Sequence, residues 1–198
     1  MTKLTIKILQ FALAAAASVA VLLACAPAAS ARPAGGGKAA QQAAPAATTN
    51  PNKGFLETWK YISGKLLAMA EDFPEDKYDY KPKPEVRSFA EQLLHATGSV
   101  YEWKATIEGK QFKESDEAKR SDFKNKAEIV AYAKKAVADG TAMLEKADFS
   151  KTIADQRRQI NPYQFWSDFC EHPAEHYGQM VVYYRLNGLV PPASRPRK

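Results

Sequence analysis

Large apolar side chains in the stretch after residue 54 recur at steps that fit only a helix. Phe55, Trp59, Ile62, Leu66, Met69 and Phe73 follow one another by 4, 3, 4, 3 and 4 positions, which keeps all six on one helical face. Pro74 closes that segment, because a proline cannot continue the backbone hydrogen-bond ladder. The spacing then returns three times. Ser88-Phe89-Ala90-Glu91 is a capping box, and behind it run Phe89, Leu93, Ala96, Val100, Trp103 and Ile107, with Gly109 as a stop signal. Asn125 with Glu128 caps a third stripe of Ile129, Ala133, Ala136, Gly140, Met143 and Ala147, whose small members would let another helix come close. A fourth lies within Pro162–Asn187 as Phe165, Phe169, His172, His176, Met180 and Tyr183, ended by Gly188 and Pro191-Pro192. No strand-like alternation is visible. Four long amphipathic helices predict an all-α four-helix bundle over residues 54–192 with a tail at 193–198. Glu75–Arg87, with Pro82 and Pro84, reads as an ordered crossing loop, and Gln111–Lys124 as a long polar one.

The front of the chain is of a different kind. Met1–Lys7 carries two lysines, and Ile8–Ala24 is an apolar run interrupted by Gln10 and Ser18, the order of a secretory signal peptide over residues 1–31. Two cleavage sites compete. Leu22-Leu23-Ala24-Cys25 resembles a lipobox, which would put a lipid anchor on Cys25, although Leu23 is not the usual residue there. Ala29-Ser30-Ala31 is an A-x-A site that would free a chain starting at Arg32. Both lead out of the cytoplasm, to the periplasm or cell envelope or into the medium. Residues 32–53 hold Ala, Gly, Pro, Gln and Thr without a large apolar side chain, so a disordered linker is expected.

Charge excludes one class of partner. The formal net charge is +6, but four of the 28 basic residues (Lys3, Lys7, Arg32 and Lys38) fall in the first 50 positions, which contain no acid. Beyond them stand 24 bases against 22 acids, interspersed and without a basic stripe, so nucleic acid is not expected as a partner. Of the two cysteines, Cys25 belongs to the export segment, and Cys170 alone cannot make an intrachain disulfide.

The chain has three histidines. His172 and His176 are four apart, so a helix projects them from adjacent turns of one face, the spacing that lets two imidazoles reach one ion. They also sit in the middle of an apolar stripe, where two protonated rings would repel one another and resist desolvation. Spacing alone gives equal weight to a bland alternative, two core or rim histidines satisfied by some of the nine tyrosines. His95 lies on the flank of the second helix, near Glu91, Ser99 and Glu102, and by itself reads as a surface histidine. Pro173 would be expected to kink the fourth helix, or restart it, at His172.

Three stretches together resemble the DinB (DinB/YfiT-like) family. Arg87-Ser88-Phe89-Ala90-Glu91-Gln92-Leu93-Leu94-His95-Ala96 is similar to the family's second-helix segment, in which a metal histidine follows a Leu-Leu pair. His172-Pro-Ala-Glu-His176-Tyr-Gly178-Gln179 is similar to the HxxxHxGQ signature, with Pro173 as a departure. Arg185-Leu-Asn-Gly188-Leu-Val-Pro191-Pro192 matches the family's ending. The resemblance implies a bundle with one long crossover connection, often a homodimer, and a divalent metal ion on His95, His172 and His176. Three nitrogen ligands leave a coordination position open, as in catalytic sites, and an all-imidazole shell points first to zinc and then to nickel. The leading expectation is therefore a metal-dependent hydrolase acting on a small molecule whose identity the sequence does not give. A thiol transferase, a non-catalytic metal-binding or interaction protein of the envelope, and a metal-free helical lipoprotein are the alternatives. Glu91, Glu102, Glu171 and Glu175 are general-base candidates by proximity only, and Cys170, two residues from His172, reads as a small core residue rather than a fourth ligand.

Overall fold

A computed structural model of the chain describes residues 51–155 and 158–196. The export segment and nearly all of the linker lie outside them. Four α-helices make up most of what is described: α1 (Pro51–Asp72), α2 (Phe89–Ile107), α3 (Lys126–Glu145) and α4 (Pro162–Leu186). Single turns of 3-10 helix lie at Glu75–Lys77, Glu114–Asp116, Arg120–Asp122 and Pro192–Ser194.

Capping chemistry sets the helix starts. The Ser88 hydroxyl accepts from the Glu91 amide, and the Glu91 carboxylate accepts from the Ser88 amide at 2.6 Å, a complete capping box. Asn125 accepts from the Glu128 amide at 3.0 Å, and Asn161 accepts from the Tyr163 amide, with Pro162 in the first turn of α4. Among the described residues α1 begins at Pro51, ahead of its first apolar stripe residue Phe55. α4 runs unbroken through Pro173, so the helix does not restart at His172.

Side-chain contacts fix the directions of the helices. Asn52 of α1 donates to the Ala147 carbonyl just past α3, while Lys126 at the start of α3 donates to the Phe73 carbonyl just past α1, so these two run antiparallel. Cys170 reaches the Phe55 carbonyl and Tyr184 reaches the Met69 carbonyl, so α1 and α4 run parallel. Trp103 packs on Phe165, and Phe89 on Tyr183 and Tyr184, which makes α2 and α4 antiparallel. α2 and α3 are then parallel neighbours, and parallel helices need a connection that travels back along the bundle. Residues 108–125 are that long crossover.

The core has two centres. Phe73, Phe89 and Tyr184 gather near one end, with Phe73 and Phe89 stacked at 3.8 Å between centroids. Trp59, Phe165, Trp166 and Phe169 fill the other. Each fully buried ring contributes on the order of 1.5–3 kcal/mol. α3 admits Trp59 closely because Gly140 has no side chain: a Cβ there would lie 2.6 Å from Trp59 Cζ2. On the same helix Leu144, rather than Met143, takes the buried place.

One expectation is corrected. Ile153–Asp155 and Arg158–Ile160 pair as a small antiparallel hairpin between α3 and α4. Strands of three residues are too short to display a period of two, which is why the alternation did not betray them.

Candidate metal centre

The antiparallel packing of α2 against α4 puts His95 opposite His172 and His176. Ring centroids are 5.2 Å apart for His95 and His172, 4.6 Å for His95 and His176, and 4.4 Å for His172 and His176. One nitrogen from each ring can be chosen so that all three lie within 4.8 Å of one another. At that limit an ion equidistant from the three would sit about 2.8 Å from each, and inward rotation of the rings by less than about 1 Å reaches a zinc–nitrogen bond. His95, a surface histidine by its position on α2 alone, has a side chain only 23% exposed, because Glu117 of the crossover lies against it.

The surroundings point one nitrogen of each ring at the common space. His95 donates from Nδ1 to Oε1 of Glu117, at 2.5 Å, which leaves Nε2 free. A carboxylate on the far nitrogen of a metal-binding imidazole fixes both its tautomer and its orientation. His172 Nε2 is buried and is the one buried side-chain nitrogen or oxygen without a hydrogen-bond partner among the described residues. An orphaned buried nitrogen costs free energy unless something accepts its lone pair, and an ion in the three-ring space does so. His176 Nδ1 lies 2.5 Å from Gln92 Nε2, and Gln92 is in turn 2.5 Å from Gln179 Oε1. The two orientations of the Gln92 amide select between tautomers of His176. With nitrogen toward the ring it donates to Nδ1; with oxygen toward the ring it accepts from Nδ1–H and frees Nε2 for an ion, Gln179 reversing in step.

Electrostatics favour uncharged rings on α4. Burial holds the His172 pKa down to about 4, helped by the neighbouring histidines and Arg87. Burial also lowers His176, with His95 the next cause. Neutral imidazoles are the form a metal ion binds.

The other singled-out residues fall away from the site. Glu91 is spent on the α2 cap and on Lys81, 2.9 Å away, and this pairing holds its carboxyl below the usual range against the opposing effect of burial. Glu102, Glu171 and Glu175 are exposed. Cys170 is buried with its thiol 3.7 Å from the Phe55 carbonyl, and burial pushes its pKa up to about 12, so it stays a protonated core thiol. Sequence reasoning missed Glu117 and Gln92. Gln92 lies three residues before His95 on the same side of α2 and could have been found by helical spacing. Glu117 sits on irregular chain, and no periodicity points to it.

A bundle whose two facing helices hold three histidines around one point, with a carboxylate and an amide bracing the outer nitrogens, defines a class of helical protein with a candidate metal centre. The particular family follows from sequence: residues 48–197 match the DinB family, and the chain belongs to it. Among solved structures it is similar to a DinB-like protein from Bacillus subtilis, at 21% identity and TM-score 0.57, over 73% of this chain and 99% of that one. A DinB-like protein from Bacillus cereus is similar at 19% identity and TM-score 0.57, over 71% of this chain and 95% of that one. Both likenesses speak to the fold. No curated protein matches the chain.

Proposed function

We propose that the chain is an exported DinB-family protein that holds one divalent ion, zinc or nickel, on Nε2 of His95, His172 and His176, and that it works as a metal-dependent hydrolase. The observation that carries the metal reading is the pairing of an orphaned buried Nε2 on His172 with two neighbouring rings whose outer nitrogens are already engaged. An ion bound there supplies Lewis acidity and brings a bound water toward neutral pKa. The protein's own part is to hold three rings in place through Glu117 and Gln92 and to leave the remaining coordination sphere free of side-chain ligands. Export is supported by the residue order of positions 1–31, with the lipid-anchored form at Cys25 and the A-x-A-cleaved form as its two routes. Leaving the cytoplasm disfavours the thiol-transfer alternative, which needs a reduced thiol pool.

The test is metal analysis of purified protein. Wild type is expected to carry or take up one equivalent of zinc or nickel, and His176→Ala to lose at least tenfold in affinity, since it removes one of three ligands. Equal affinity in the two proteins sinks the metal centre. Turnover of esters or amides that disappears with a chelator and returns with metal separates the hydrolase from a non-catalytic metal binder.

A further inference from the structure

Beside Glu117, the hydrogen-bond partner of His95, lies a cleft of about 660 Å³ between the segment before α2 and the crossover. Glu117 forms part of its wall and also holds His95, so the cleft and the candidate metal centre share a residue. Its charged lining is Lys81, Arg87, Lys119 and Arg120 against Glu85, Glu91, Glu114 and Glu117. Four of these eight groups are engaged. Lys81 pairs with Glu91 at 2.9 Å, Arg120 pairs with Asp79 at 2.7 Å, and Glu117 holds His95.

Arg87 is different. Its guanidinium makes no ion pair or hydrogen bond among the described residues, while its backbone carbonyl accepts from the Tyr183 hydroxyl at 2.6 Å, which ties its position to α4. Its charge reaches both histidines of α4. The residue also immediately precedes the α2 cap at Ser88, so its place is set by a helix start. Beside it the cleft presents the apolar surfaces of Pro84, Val86 and Ala118.

We propose that Arg87 is the anion-recognition residue of this site, and that the molecule it selects carries a single carboxylate on an apolar body, presented to the metal position past Glu117. The proposal rests on the metal-centre reading for the site it serves. A guanidinium fork matches a carboxylate with two parallel hydrogen bonds. A more highly charged group such as a phosphate is disfavoured, because Glu85, Glu91, Glu114 and Glu117 line the same cleft and would repel a second negative charge.

The experiment uses full-length protein with benzoate and inorganic phosphate as probes. Binding is followed by NMR on metal-free protein and by the visible spectrum of cobalt-loaded protein. Benzoate is expected to bind wild type saturably in both forms. Its Kd should rise at least about tenfold in Arg87→Met and recover in part in Arg87→Lys, whose ammonium keeps the charge without the fork. Cobalt affinity should stay within about twofold across the three proteins, since Arg87 is no ligand. Equal benzoate affinity in wild type and Arg87→Met, absence of saturable benzoate binding, or tighter binding of phosphate than benzoate each overturns the proposal. Failure of wild type to bind cobalt instead sinks the metal reading, and the metal-free titration then judges Arg87 alone.

Discussion

Cutting back Glu117 to alanine tests whether the crossover takes part in the metal centre. The carboxylate holds Nδ1 of His95 at 2.5 Å and does so from a segment with no α-helical or strand pairing of its own. Without it, the His95 ring loses the contact that fixes both its tautomer and its rotation, and binding an ion must then restore that order. Loss of such outer partners costs about 10–100-fold in metal affinity, or about 1.4–2.7 kcal/mol. Glu117→Gln keeps an oxygen that can accept from Nδ1–H and loses only the charge, so it should fall at the lower end. The crossover itself stays anchored, because Arg120 binds Asp79 through two nitrogens and the Phe123 carbonyl through a third. The assay is competition for zinc against a chromophoric chelator, with Glu114→Ala, exposed on the same segment, as control. If Glu117→Ala holds zinc as tightly as wild type, His95 is not braced from the crossover and the reasoning fails.

Two further outcomes are expected. In the metal-free protein, His172 has a folded pKa of about 4 against 6.5 unfolded, and His176 is lowered as well, so the unfolded chain binds more protons below pH 6.5. Stability is therefore fully present above pH 6.5 and lost as pH falls toward 4; thermal melts at pH 7 and pH 5 should show a lower midpoint at pH 5, and His172→Gln should lessen that difference, while equal midpoints in wild type would refute it. Gly140→Ala places a Cβ 2.6 Å from Trp59 and 3.1 Å from Phe169, and this overpacking should cost about 1–3 kcal/mol in urea unfolding; an unchanged midpoint would show that Trp59 moves aside freely.

The helices were legible because their apolar steps, caps and stops agreed with one another. Ser88 with Glu91, Asn125 with Glu128, and Pro74 each do locally what their residue types dictate, so no tertiary information was needed. The pair His172 and His176 was legible for the same reason, being a property of one helix. His95 was not, except through the family resemblance. α2 is buried well beyond its stripe, at Ala90, Gln92, Leu94, Thr97 and Ser99, because α3, α4 and the crossover cover it from several sides. A helix with so little water-facing surface does not announce which flank is inward. Glu117 lay beyond reach entirely, since a contact between a helix and irregular chain leaves no period in the sequence.

The parallel course of α2 and α3 has a consequence for assembly. Residue 95 and the pair on α4 come from opposite halves of the chain and meet only after the returning strap has been laid and the last helix has closed on the second. A partly folded chain would offer two imidazoles at most. An ion taken up on all three would therefore act as a seal on the finished bundle, and its capture would mark the moment at which the last helix docks.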